Sequence, residues 1–302
     1  MKKIILTFIT LASFLFCQEQ KIPQKGIFQG IHVVQNIPYV TGGGLSQQLD
    51  LYLPEVTPEK PLPVIVWIHG GSWKAGDKKT GDSVVNFVPQ GYIGVSMNYR
   101  LSSEAVFPAQ IEDCKSAIRW LRAHSSEYHL DQDHIAVFGV SAGGHLAALL
   151  GTSGNVKEFD QGENLQFSSK VQAVCDFYGP TDFLKVDNEG NFEKYDVAGS
   201  AIFQLMGGFL RDRPELCAKA SPISHVAGDN PPFLIIHGDK DLTVPIRQSE
   251  LLVSALKEKG VSVIYQVVSG GDHGGKAFNT PEIKQTINTF FEQSLKTLLN
   301  KT

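Results

Sequence analysis

Six short, nearly continuous apolar runs punctuate this chain: Val64 to His69, Tyr92 to Asn98, His134 to Val140, Val171 to Tyr178, Phe233 to His237 and Val261 to Val268. A strand with one solvated face alternates apolar and polar residues, so runs without a polar break require cover on both faces. Helical patterns separate them. The clearest carries Ile111, Cys114, Ile118 and Leu121 on one stripe, and the last carries Ile283, Ile287, Phe290 and Leu298 after a Thr280-Pro281 start signal. This alternation predicts an α/β fold, a mostly parallel central sheet with helices on both faces. Upstream, Ile31 to Val40 and Gln47 to Pro54 flank three consecutive glycines and read as an antiparallel hairpin. One interval, about residues 180–222, breaks the rhythm and carries Phe183, Phe192, Tyr195, Phe203 and Phe209. It is expected as a small insertion over the sheet's C-terminal edge, where open α/β folds bind ligands.

The N-terminus reads as a separate unit. Lys2 and Lys3 precede an apolar run from Ile4 to Phe16, too short for a bilayer, which needs about 20 residues. Residues 1–17 are therefore expected to be a signal peptide, implying export to a periplasm or the exterior, with 18–302 forming one domain. Cys17 opens a second reading, a lipid-anchored N-terminus, against which the bulky Phe16 stands. No other segment is long and apolar enough to cross a membrane. A net charge of −4 with no basic stripe offers no counter-charge to a polyanion, so no nucleic acid is expected. Cys114, Cys175 and Cys217 are odd in number and lack zinc spacing, which indicates neither a disulfide framework nor a metal site. Cys114 and Cys175 are expected as buried, inert thiols. Nothing in the chain fixes an oligomeric state.

The chemistry concentrates at Gly139-Val140-Ser141-Ala142-Gly143, which directly follows one apolar run and opens a helical stretch from Gly144 to Leu150. A serine lifted to the tip of a sharp strand-to-helix turn sits in a strained backbone region. Glycines two residues either side remove the clashes such a turn would cause. The helix that follows aims its free N–H groups at the reacting carbon, and the Ala142 N–H is placed for a developing oxyanion. A second motif, His69-Gly70-Gly71-Ser72-Trp73, ends the first apolar run at the same sheet edge. Gly71 and Ser72 are expected to offer backbone N–H groups there, together with Ala142, while His69 braces the loop.

An acid and a base must come from later strand ends. The run Phe233 to His237 leads into Gly238-Asp239-Lys240-Asp241, and Val261 to Val268 leads into Gly270-Gly271-Asp272-His273-Gly274. His273 is the expected general base. Asp241 is favoured over Asp239, which is expected to cap the turn, and Asp182 stands as a third candidate. His145, one turn into the nucleophile's helix, reads as structural. Ser141 would attack an acyl carbon as His273 takes its proton, and water would then cleave the acyl-enzyme without a cofactor.

The segments HGGSWKAGDK, NYRLS, FPAQIEDCKSAIRWLRAH, DHIAVFGVSAGGHLAALL, FYGPTD and HGDKDLTVP together resemble α/β-hydrolase-fold carboxylesterases, in the hormone-sensitive-lipase-like and feruloyl/acetyl-xylan-esterase group. The resemblance covers nearly all of the chain after residue 17. It implies a serine esterase with Ser141, Asp241 and His273 as its triad and Gly71, Ser72 and Ala142 as its oxyanion hole. Ser72 stands where many relatives have a third glycine, and still supplies a backbone N–H. Tyr99, Arg100 and Asp113 read as structural, with a substrate contact by Tyr99 left open. The substrate implied is a small-molecule or polysaccharide-linked ester, with acetyl or feruloyl groups on plant polysaccharide foremost. Two alternatives stay open: an arylformamidase-type amide hydrolase, which shares a similar HGG-W loop, and a non-catalytic binding protein on the same fold. The aromatic residues of the insertion fit either sugar stacking or packing against the core.

Overall fold

In a computed structural model, residues 29–185 and 195–296 are described. The strands are β1 (Ile31–Pro38), β2 (Gln48–Pro54), β3 (Leu62–Ile68), β4 (Ile93–Met97), β5 (Leu130–Val140), β6 (Ala173–Phe177), β7 (Phe233–Gly238) and β8 (Val263–Val268). The helices are α1 (Asp82–Val85), α2 (Ala109–Ala123), α3 (Ser125–Tyr128), α4 (Ala142–Thr152), α5 (Ala201–Met206), α6 (Pro214–Ala220), α7 (Arg247–Glu258) and α8 (Pro281–Phe291). All six apolar runs became strands. β5 begins four residues earlier than the run it contains, because Leu130 pairs with Leu62 across a register shift. Leu298, assigned to the last helical stripe, lies outside the described residues, as do residues 1–28.

The strands form one sheet in the order β1-β2-β4-β3-β5-β6-β7-β8. β2 runs antiparallel to both β1 and β4, and every later pairing is parallel. The pleat divides β3 between two cores. Val64, Val66 and Ile68 enter one, beside Ile111, Ile118 and Leu121 of α2 and Leu146 and Leu149 of α4. Ile65 and Trp67 enter the other, against Val84 of α1 and Ile287, Phe290 and Phe291 of α8. Each aliphatic side chain so buried contributes about 1.5–3 kcal/mol relative to exposure. The unbroken apolar runs therefore follow from burial on both sides.

The site's position follows from strand order. The chain returns from β4, on one side of β3, to β5 on the other, so the crossovers diverge at the C-terminal ends of β3 and β5 and leave a crevice there. Ile68 pairs with Gly139, which sets the loop after β3 beside the turn after β5.

Candidate active site

Ser141 heads α4 with φ 54 and ψ −120, a conformation that costs a non-glycine residue on the order of 1–3 kcal/mol. Hydrogen bonds hold it there: Ser141 N donates to Phe177 O (2.8 Å), and His145 N donates to Ser141 O (2.9 Å). Gly143 is required because a Cβ would run into the Ile68 carbonyl, and Gly139 because one would meet the Gly143 carbonyl.

The loop after β3 is built as tightly. Gly71 has φ 114, where a Cβ would enter the Ala75 carbonyl, and Ser72 (φ 56) and Trp73 (φ 57) continue the left-handed path. The N–H groups of Gly71, Ser72 and Ala142 have no hydrogen-bond acceptor among the described residues. His69 braces the loop as expected: its ring stacks on Tyr99 at 4.3 Å, and the Tyr99 hydroxyl donates to His69 O (3.0 Å). Tyr99 is thereby consumed in structure. At the loop's far end, buried Lys78 reaches Asp50 Oδ1 (2.7 Å) and Asn36 Oδ1 (2.8 Å), an anchor that no local sequence pattern marked. Arg100 and Asp113 pair with each other away from the crevice.

Three side chains from distant segments meet in one line. The Ser141 hydroxyl donates to His273 Nε2 (2.8 Å) and His273 Nδ1–H donates to Asp241 Oδ2 (2.7 Å). Asp241 Oδ1 accepts from Thr243 N and Val244 N, both at 2.8 Å. Burial alone pushes this carboxyl up, but hydrogen bonds from His237, His273 and the Val244 N–H outweigh it and hold Asp241 well below the usual carboxylate range. Asp239 does not reach His273. Its Oδ1 accepts from Gly270 N (2.7 Å), so it fastens the loop after β7 to the turn after β8 rather than capping its own turn. Asp182 accepts from Leu184 N (2.9 Å) in a local turn. His145 is buried and structural: Trp73 Nε1 donates to its Nδ1 (3.1 Å), leaving Nε2–H for Ala220 O (2.8 Å).

Two neighbours of the line were not singled out from sequence. Tyr178, directly after β6, has φ 44 and lays its ring 4.7 Å from that of His273. His237, at the end of β7, lies 3.3 Å from Asp241 Oδ2. The first could have been sought as an aromatic following a strand at the sheet's functional edge. The second carries no local signal beyond its strand position.

Beside Ser141 opens a cavity of about 190 Å³, walled largely by Trp73, Tyr195, Ile202, Val244 and Pro245. The insertion thus contributes directly through Tyr195 and Ile202. Its other aromatics pack: Phe183 against Trp73 and His145, and Phe203 against Phe209. Phe192 lies outside the described residues. Cys114, Cys175 and Cys217 are free and buried. No helix among the described residues is long and apolar enough to cross a membrane.

Comparison with known proteins agrees with this architecture. Esterase LipC of Mycobacterium tuberculosis is 31% identical over 259 residues, 85% of this chain and 64% of its own. Esterase LipQ of the same organism is 34% identical over 76% of this chain and 54% of its own. The chain therefore spans less than two thirds of these curated relatives. A solved structure described as a truncated form of carbohydrate esterase from gut microbiota superposes with a TM-score of 0.80 at 31% identity, covering 87% of this chain and 96% of that one. The family model described as BD-FAE matches residues 49–256, a range that includes Ser141 and Asp241 and ends before His273. The chain therefore belongs to the BD-FAE family, on an α/β-hydrolase fold.

Proposed function

We propose that the protein is a serine carboxylesterase in which Ser141 is the nucleophile, His273 the general base and Asp241 the acid that orients it. The observation that carries this reading is the unbroken hydrogen-bond line from Ser141 through His273 to Asp241, opening on the cavity. His273 Nε2 takes the Ser141 proton as Oγ bonds to the acyl carbon. The oxyanion formed is met by the N–H groups of Gly71, Ser72 and Ala142. Collapse breaks the bond to the alcohol, which leaves with the proton from Nε2. Water then gives a proton to Nε2 as its oxygen bonds to the acyl carbon, and collapse breaks the bond to Ser141 Oγ, which takes the proton back from Nε2 as the acid leaves.

The substrates we propose are acetyl or feruloyl esters on plant polysaccharide. Support comes from the carbohydrate-esterase description of the structural relative and from an apolar cavity large enough for more than a methyl group. The proposal includes export through the leader at residues 1–17, which lies outside the described residues, with 18–302 as one domain. The test is hydrolysis of p-nitrophenyl acetate, acetylated xylan, methyl ferulate and N-formylkynurenine by wild type and Ser141→Ala. Turnover of the sugar or phenolic esters that disappears in the variant is expected. Turnover of the formamide alone would replace this reading with an amidase, and activity surviving in Ser141→Ala would remove the nucleophile assignment.

A further inference from the structure

His237 is the penultimate residue of β7, with its side chain fully buried. Its Nδ1 lies 2.7 Å from the Ser249 hydroxyl on α7. Its Nε2 faces two acceptors, the Val244 carbonyl at 2.9 Å and Asp241 Oδ2 at 3.3 Å. Two acceptors require a proton on Nε2, and in the neutral ring Nδ1 is then the acceptor and Ser249 Oγ–H the donor. The oxygen that His237 approaches is the one that receives His273 Nδ1–H. The other carboxylate oxygen is taken by the backbone of Thr243 and Val244. Val244 closes the circuit: its N–H binds Asp241, its carbonyl binds His237, and it lines the cavity. Rotation of the carboxylate therefore breaks several hydrogen bonds at once.

Resting on the triad reading above, we infer that His237 is a positioning residue for the reaction: its Nε2–H, between the Val244 carbonyl and Asp241 Oδ2, fixes the carboxylate in the orientation from which His273 is held against Ser141. His237 touches no substrate and exchanges no proton with it. The effect belongs in the chemical step, because His237 itself lies outside the cavity lining while the acid behind the base loosens. A misplacement of a catalytic group by about 1 Å costs roughly 10²-fold in rate.

His237→Leu removes the donor at similar bulk, His237→Gln restores an N–H, and Ser249→Ala removes only the bond that fixes the tautomer. Each is compared with wild type and Ser141→Ala on p-nitrophenyl acetate, with thermal unfolding to establish the fold. For a folded His237→Leu, kcat is expected to fall by about 10²-fold with KM nearly unchanged, and His237→Gln is expected to recover most of the loss. If His237→Leu does not fold, Ser249→Ala and His237→Gln carry the test, and lowered kcat at constant KM in Ser249→Ala, with His237→Gln retaining most of the wild-type kcat, is the supporting result. A folded His237→Leu with wild-type kcat, a His237→Gln no better than His237→Leu, or, where His237→Leu does not fold, a Ser249→Ala indistinguishable from wild type would overturn the assignment. A fully active Ser141→Ala would instead show that the triad reading itself fails.

Discussion

Trp73 and His145 are joined by a 3.1 Å hydrogen bond from the indole N–H to Nδ1, which ties the loop after β3 to the helix beneath Ser141. Both are buried, so the bond fixes the spacing between the proposed oxyanion donors and the nucleophile. Trp73→Phe keeps an aromatic ring but removes the N–H and the five-membered part of the indole, leaving a buried imidazole nitrogen unpaired. A loss of about 1–3 kcal/mol in stability is expected, with a lowered kcat. Denaturant unfolding beside steady-state kinetics measures both.

Asp241 and Asp239 make opposite predictions from neighbouring positions. Asp241→Asn presents an amide N–H to His273 Nδ1 and favours the tautomer that cannot accept the Ser141 proton. A fall in kcat of about 10⁴-fold with the fold retained is expected. Asp239→Asn keeps an oxygen for Gly270 N and is expected to change kcat by no more than a few-fold. Comparable losses in the two variants would contradict the assignment of the acid.

Gly71→Ala tests the loop backbone. The added Cβ meets the Ala75 carbonyl at a φ that L residues rarely adopt. Displacing the two loop donors is expected to lower kcat by about 10²–10³-fold, more than the accompanying change in melting temperature would suggest. Unchanged kcat in a folded variant would place the oxyanion elsewhere.

Two buried groups act in opposite directions on stability between pH 4 and 6.5. Burial pushes the Asp176 carboxyl up from 3.8 to about 6, and its Oδ2 has no hydrogen-bond partner. The folded state takes up this proton before the unfolded chain, so Asp176 lowers stability above pH 6 and the deficit, about 3 kcal/mol, disappears as pH falls to 3.8. Burial pulls His145 down from 6.5 to about 4. There the unfolded chain binds the proton first, and about 3 kcal/mol is lost as pH falls from 6.5 to 4. Asp176→Asn removes only the first contribution. Its unfolding free energy is expected to exceed that of wild type at pH 7 and to fall more steeply toward pH 4. Parallel pH profiles from denaturant titrations would show that Asp176 is not ionised at neutral pH.

Ala201→Phe probes the acyl pocket. Ala201 lines the cavity together with Ser72 and Trp73, and a phenyl group there occupies space that a feruloyl group needs. Methyl ferulate turnover is expected to fall at least about tenfold relative to p-nitrophenyl acetate. An unchanged ratio of kcat/KM for the two esters would mean that the acyl group binds elsewhere.

The sequence by itself determined the layered α/β fold, because burial on both faces is written into consecutive residues: Val64 to Ile68 can be apolar throughout only in a covered sheet. It also marked the strained turn at Ser141, since glycines at 139 and 143 are a local steric requirement of the close approach there. The candidate base was legible from its place after the last strand. What decided between Asp239 and Asp241 was the register of two loops, one meeting Gly270 and the other His273 at a separation of 32 residues. No window of sequence contains that relation. Tertiary structure alone likewise brought Ser141 to His273 across 132 residues, set Tyr178 against the imidazole, and turned Lys78 and His237 inward. Those contacts depend on strand order and loop path, which arise from the packing of the whole sheet, whereas periodicity and turn chemistry act between neighbours in the chain.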